Sequence, residues 1–145
     1  MHTVFAVKYR KALIEDFWKE NLLGTIGNLV NEEGGKLIIV NGTNDHVHCC
    51  FSLKPSISIS NIMQKIKGKS SKWVNDEGLC DTHFEWQKGY GAFSYSHSQL
   101  NALFRYVQNQ KEHHKKRGFR EEYLELLKKF EVDFDEQYIF HDPID

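Results

Sequence analysis

Two pairs of side chains in this 145-residue chain have types and spacings suited to chemistry. The first is His46 and His48, separated by Val47. In a strand, alternate side chains share a face, so both imidazoles project together while Val47 turns away. Their Cα atoms stand ~6.6 Å apart at the usual strand rise, from which two rings can converge on one metal ion. Two half-buried strand histidines are the competing account, and the pair alone does not decide between them. The second pair is Tyr106 and Gln110, whose four-residue spacing puts both on one helix face, one turn apart. Leu100, Leu103, Phe104 and Val107 give that helix an apolar contact with the body, and packing alone would also explain the tyrosine. The basic residues that follow, Lys111 and His113 to Arg117, suit phosphate contact and equally a solvated helix end.

Other chemistries are excluded by what is missing. Cys50 shares the face of His46 but lies ~13 Å along the strand, too far for a His46–His48–Cys50 zinc site without a bulge. Cys49 faces the other way, and both thiols read as small buried hydrophobes. A second His-x-Ser/Thr motif, a third alternating histidine and a Walker-type glycine loop are all lacking. A barrel hydrolase needs a far longer chain.

The elements that must position these residues follow from hydrophobic period. Residues 3–9 are β-branched and aromatic and predict a strand. Ile14, Phe17, Trp18, Leu22, Ile26 and Leu29 recur at helical steps. Gly34-Gly35 turns the chain into a strand over residues 36–40. The Asn41–Asp45 segment is turn chemistry leading to a strand over 46–53, so a hairpin is expected. Ile59, Ile62, Met63, Ile66 and Trp73 mark a second helix. Residues 84–95 predict one or two further strands. Ser96 and Gln99 have capping-box spacing, so a third helix should start there and run to about residue 116. A final helix is expected over 119–130. The order βαββαβ followed by helices predicts an α+β fold, a ferredoxin-like antiparallel sheet with helices packed on it.

Composition bounds the rest. At 17.0 kDa, with 40% apolar and 13% aromatic residues, the chain fits one domain over 1–145 and cannot be globally disordered. Three cysteines, two of them adjacent, make no disulfide framework and predict a reducing, intracellular setting. No signal-peptide pattern and no apolar run of ~18–20 residues is present, so no membrane partner is expected. The net charge of −1 divides unevenly, +5 over residues 1–119 and −6 over 120–145. A basic body permits a polyanion partner without demanding one.

Several segments, taken in order, carry a family resemblance: Val4-Phe-Ala-Val-Lys-Tyr-Arg-Lys11, Asn44-Asp-His-Val-His48 and Ile66-Lys-Gly-Lys-Ser-Ser-Lys-Trp73. Trp86-Gln-Lys-Gly-Tyr-Gly-Ala-Phe-Ser94 and Tyr106-Val-Gln-Asn-Gln-Lys-Glu-His-His114 follow, then Glu121-Glu-Tyr123 and Tyr138. The chain resembles the single-tyrosine transposases of bacterial insertion sequences and the related tyrosine transposases of repetitive palindromic elements. They belong to the class named HUH, for its His-hydrophobe-His motif.

That resemblance implies His46, His48 and Gln110 as ligands of a divalent metal, Mg²⁺ or Mn²⁺, and Tyr106 as the nucleophile. It implies cleavage and rejoining of hairpin-bearing single-stranded DNA through a 5′-phosphotyrosine with a free 3′-OH. It further implies a bacterial cytoplasmic homodimer with composite sites. Lys8, Arg10, Lys65, Lys67 and Lys69 are then candidates for contact with the nucleic-acid backbone. Phe84, Trp86, Tyr90 and Phe93 are candidates for base stacking, with core packing the stronger expectation. Two other readings stand beside this one: a host-adopted nickase and rejoinase of repetitive hairpins, and a non-catalytic nucleic-acid-binding module.

Overall fold

The computed structural model describes residues 1–109 and residue 121. Its first strand, β1 (His2–Ala6), is buried along its whole length. It stops short of the expected residue 9 because Tyr9 takes a left-handed backbone, φ 59°, inside a short 3-10 turn at Lys8–Arg10. Helix α1 (Asp16–Glu32) buries Trp18, Leu22, Ile26 and Leu29 at the predicted helical steps, while Phe17 on the expected apolar face is exposed and the buried Ile14 precedes the helix. Strands β2 (Gly35–Gly42) and β3 (His46–Leu53) form the expected hairpin. Helix α2 (Ile59–Asp76) is capped by Ser58, whose Oγ accepts from the Asn61 amide at 3.2 Å.

Strand β4 (Gly91–Phe93) is all the ladder that residues 84–95 yield, apart from one bridge between Val7 and Trp86. The Asn75 side chain takes both main-chain groups of Phe84, at 2.8 and 3.0 Å, in place of strand partners. Gly89, with φ +80°, then bends the chain before β4. A 3-10 turn at His97–Gln99 leads into α3 (Leu100–Gln108). As its spacing predicted, Ser96 donates its amide to Gln99 Oε1 at 3.0 Å.

The strand order is β2-β3-β1-β4, antiparallel throughout. With the βαββαβ sequence of elements, this is the expected ferredoxin-like arrangement. The two faces of the sheet have different jobs. One packs Phe5, Val47, Cys49 and Phe51 against α1 and α2 in the main core. The other carries His2, His46, His48 and Cys50 and is roofed by α3, with Leu103 and Val107 on Cys50, Ile38 and Ile39. A register shift between Leu37 and Ile39 lets both Ile38 and Ile39 serve that second face. Among the described residues no helix is long and apolar enough to cross a membrane. The expected end of the third helix, the helix over 119–130 and the acidic segment lie outside the described residues.

Candidate active site

Register carries the histidine pair to one place. His46 pairs with Ala6 and His48 with Val4, so both imidazoles leave the sheet on the α3 side, ring centroids 5.2 Å apart. Both residues are buried. The hairpin turn behind them is tight: a Cβ on Gly42 would lie 2.5 Å from the His46 carbonyl oxygen, so glycine is required there.

Each histidine has its Nδ1 engaged by a neighbour. His46 Nδ1 lies 2.7 Å from Asp45 Oδ1 and 2.9 Å from Thr43 Oγ1, and Thr43 also donates to that carboxylate at 3.2 Å. An ionised carboxylate only accepts, so the His46 proton sits on Nδ1 and Nε2 holds the lone pair. His48 Nδ1 lies 2.8 Å from His2 Nε2, between two buried rings stacked at 5.1 Å. The other nitrogen of His2 is 3.4 Å from the Tyr95 hydroxyl. Burial first, and the N-terminal ammonium second, pull the His2 pKa down to about 3, so this ring is neutral at ordinary pH. Burial and the adjacent Cys50 thiol push the Tyr95 phenol up to about 12.

Tyr106 reaches the same place from α3. Its half-buried ring meets His48 edge-on at 5.8 Å between centroids and His2 at 6.4 Å. Asn41 holds the helix down: its side-chain amide donates to the Val107 and Gln108 carbonyls, both at 3.0 Å. Nucleophile candidate and histidine pair thus meet on one sheet face within a single chain. Gln110 lies outside the described residues.

The donor chemistry suits a divalent metal. Two buried imidazoles project from one strand while their Nδ1 atoms are held, the usual outer support of metal-bound histidine. Imidazole donors lean towards Mn²⁺ over Mg²⁺. Among the described residues no group of three His, Cys, Asp or Glu side chains is placed to hold an ion. Cys50 turns its thiol into the apolar cluster under α3, where burial raises its pKa to about 12.

The basic candidates fall in two places, away from the histidines. Lys8 and Lys67 line one surface groove of about 640 Å³ with Lys72, Lys88 and His83. Lys8 pairs there with Glu85 at 3.0 Å. Lys67 donates to the Gln87 and Gly89 carbonyls at 2.7 and 2.6 Å, and burial lowers its pKa to about 8. Lys65 and Lys69 stand apart on α2, both paired with Glu33, at 3.1 and 2.7 Å. Arg10 falls in the 3-10 turn beside Tyr9. Phe84, Trp86 and Phe93 are buried, so packing, not stacking on bases, accounts for them. The exposed large hydrophobics among the described residues are Tyr9, Phe17 and Phe104.

Sequence reasoning passed over His2, Thr43, Asp45, Tyr95 and Asn41. The signal for His2 is the period of two in the first strand, which puts His2, Val4 and Ala6 on one face once the strand begins one residue before the expected Thr3. Asp45 was visible only as a turn residue preceding His46.

Comparison with known proteins adds the family. Residues 1–110 match the family model described as transposase, IS200 like. No curated protein matches the sequence. Among solved structures, one similar to this chain is a Deinococcus radiodurans protein assigned as a transposase. It has a TM-score of 0.59 and 20% identity, with 75% of this chain and 88% of that chain covered. Another is a REP-associated tyrosine transposase bound to a REP hairpin, with a TM-score of 0.57 and 15% identity, covering 78% of this chain and 66% of that one. At these identities the structural likeness is one of fold.

Proposed function

The chain belongs to the IS200-like transposases, and on that premise we propose that it cleaves and rejoins hairpin-bearing single-stranded DNA through a covalent 5′-phosphotyrosine on Tyr106. One observation carries the reading: Tyr106 stands edge-on to His48, 5.8 Å between centroids, on the sheet face from which His46 and His48 both project. The hairpin-bound relative supports the substrate class.

In this reading Tyr106 Oη attacks the scissile phosphorus. The Oη–P bond forms as the P–O3′ bond breaks; the phenol gives up its proton and the departing 3′ oxygen takes one up. The ester keeps the energy of the broken bond, so a 3′-OH can attack it, rejoin the strand and return the phenol without ATP. His46 and His48, with Gln110 as the proposed third ligand, would hold Mn²⁺ or Mg²⁺, which supplies Lewis-acid polarisation of the phosphate. Asp45 and Thr43 keep His46 in the required tautomer. Asn41 keeps the tyrosine helix on the sheet, so the nucleophile does not have to be ordered at each turnover. We include in the proposal a homodimer with composite sites.

The test offers a library of single-stranded DNA hairpins with Mn²⁺ or Mg²⁺ and looks for a denaturation-resistant protein–DNA adduct. The expected result is an adduct with the wild-type chain and none with Tyr106→Phe, which still binds hairpin. Hairpin and metal binding without any adduct would overturn the reading in favour of a binding module.

A further inference from the structure

We propose that His2 is a positioning residue that sets the tautomer of His48, accepting the Nδ1 proton so that His48 Nε2 carries the lone pair; the inference rests on the metal site proposed above. The contact is short, 2.8 Å from His2 Nε2 to His48 Nδ1, and neither ring is more than 1% exposed, so water does not compete for it. One proton lies between the two nitrogens, and it has two possible owners. If it belongs to His2, the proton of neutral His48 must sit on Nε2, and that nitrogen cannot bind a metal. If it belongs to His48, Nε2 is a donor of electrons and His2 carries its own proton on Nδ1. That nitrogen is the one that faces an oxygen, the Tyr95 hydroxyl at 3.4 Å. The Tyr95 hydroxyl can accept from or donate to His2 Nδ1, so it suits either arrangement; only the second gives His48 Nε2 the lone pair that a metal needs, and that requirement assigns the proton to His48.

The two site histidines are thus supported by different chemistry. His46 leans on a carboxylate, which raises the basicity of the ring and pins it strongly. His48 leans on a neutral imidazole that is held by strand pairing. β1 places His2 opposite Cys50 in β3 and opposite Phe93 in β4, and Met1 continues the ladder by accepting from the Phe51 amide at 3.0 Å. The position of the acceptor is therefore fixed by the backbone of the central strand. Phe93 and Tyr95 pack on its ring, each at 5.8 Å between centroids.

Two measurements on the full chain test this. In ¹⁵N spectra of metal-free wild type, His48 should show the Nδ1–H tautomer; Nε2–H at His48 would overturn the proposal without recourse to any variant. Mn²⁺ titration, followed by the electron paramagnetic resonance of the free ion, then compares His2→Gln with His2→Leu, each checked for folding by circular dichroism. Glutamine puts an amide oxygen near the position of Nε2 and should keep near wild-type affinity. Leucine removes the acceptor and should weaken binding by about 10–100-fold. Undiminished binding by folded His2→Leu would overturn the inference and leave the proposed function standing. Wild type that binds no Mn²⁺, or binds it equally after His48→Ala, would overturn the metal site itself and the role of His2 with it.

Discussion

Asp45 does its work through one atom. Its Oδ1 lies 2.7 Å from His46 Nδ1 and also accepts from Thr43, so a buried acid is held between two donors and aims one ring. Asp45→Asn keeps the shape but can present an N–H where the oxygen stood, which turns the His46 proton to Nε2. Mn²⁺ affinity should fall by about 10–100-fold, with little change in melting temperature. Titration and a thermal melt on the same preparation check this; unchanged affinity would make Asp45 a hairpin residue only. Lys67 and Lys8 differ in the same concrete way. Lys67 ties down the Gln87 and Gly89 carbonyls, so Lys67→Met should cost about 1–3 kcal/mol of stability, read by urea unfolding. Lys8 is solvent-facing in the same groove. Under the proposed DNA role, Lys8→Ala should leave the fold intact and lower the slope of log affinity against log salt by about 0.9.

At the scale of elements, the tyrosine helix is attached from one side. Leu103 and Val107 provide its apolar contact, and Asn41 satisfies two of its last carbonyls from the edge strand β2. Asn41→Ala removes both hydrogen bonds at once. Amide exchange in residues 100–108 should then accelerate by about 10-fold, in keeping with a loss of about 1–2 kcal/mol, while β1 and β3 stay protected. Adduct formation should fall with it, because Tyr106 spends less time over His48. Equal protection in wild type and variant would assign the hold on α3 to apolar packing alone. The hairpin makes a stricter demand. Gly42→Ala drives a methyl into the His46 carbonyl, and the turn that carries Thr43 and Asp45 must shift with it. Loss of Mn²⁺ binding should therefore accompany its loss of stability.

At the scale of the molecule, α1 and α2 are joined on the far side of the sheet by Glu33 with Lys65 and Lys69. Hydrogen bonds from Lys69 first and Lys65 second hold the Glu33 pKa below its ordinary value. A carboxyl with a depressed folded pKa stabilises the fold above its unfolded pKa of 4.5, and that contribution is lost as pH falls through the folded value. Glu33→Gln should accordingly flatten the acid limb of the melting temperature below about pH 4.5, by a small amount since both lysines are more than half exposed. An acid limb of the same steepness in the variant would show that the pair adds nothing. Each lysine ammonium carries three N–H donors, so in the proposed DNA role a phosphate shares the two lysines with Glu33. Lys8 and Lys67 lie in a separate groove, which splits the basic candidates over two surfaces.

Much of this was legible in the residues themselves. Hydrophobic period determined α1, α2 and the β2–β3 hairpin, because apolar side chains must reach one core whatever the rest of the chain does. Strand alternation placed His46 and His48 together, since two-residue repeats are a property of the backbone and need no partner. The capping spacing of Ser96 and Gln99 placed the start of the tyrosine helix for the same local reason. Tertiary structure alone decided what stands beside His48 Nδ1, whereas the partners of His46 Nδ1 are its sequence neighbours Asp45 and Thr43. His2 meets His48 across 46 positions of sequence, and Asn41 meets Val107 across 66, through strand pairing and helix docking that no local pattern encodes. It also decided which lysines are engaged: Lys67 reads like its neighbours Lys65 and Lys69, yet only Lys67 meets the 87–89 loop. Spacing along a chain fixes which side chains share a face; only the packing of faces against one another fixes what they touch.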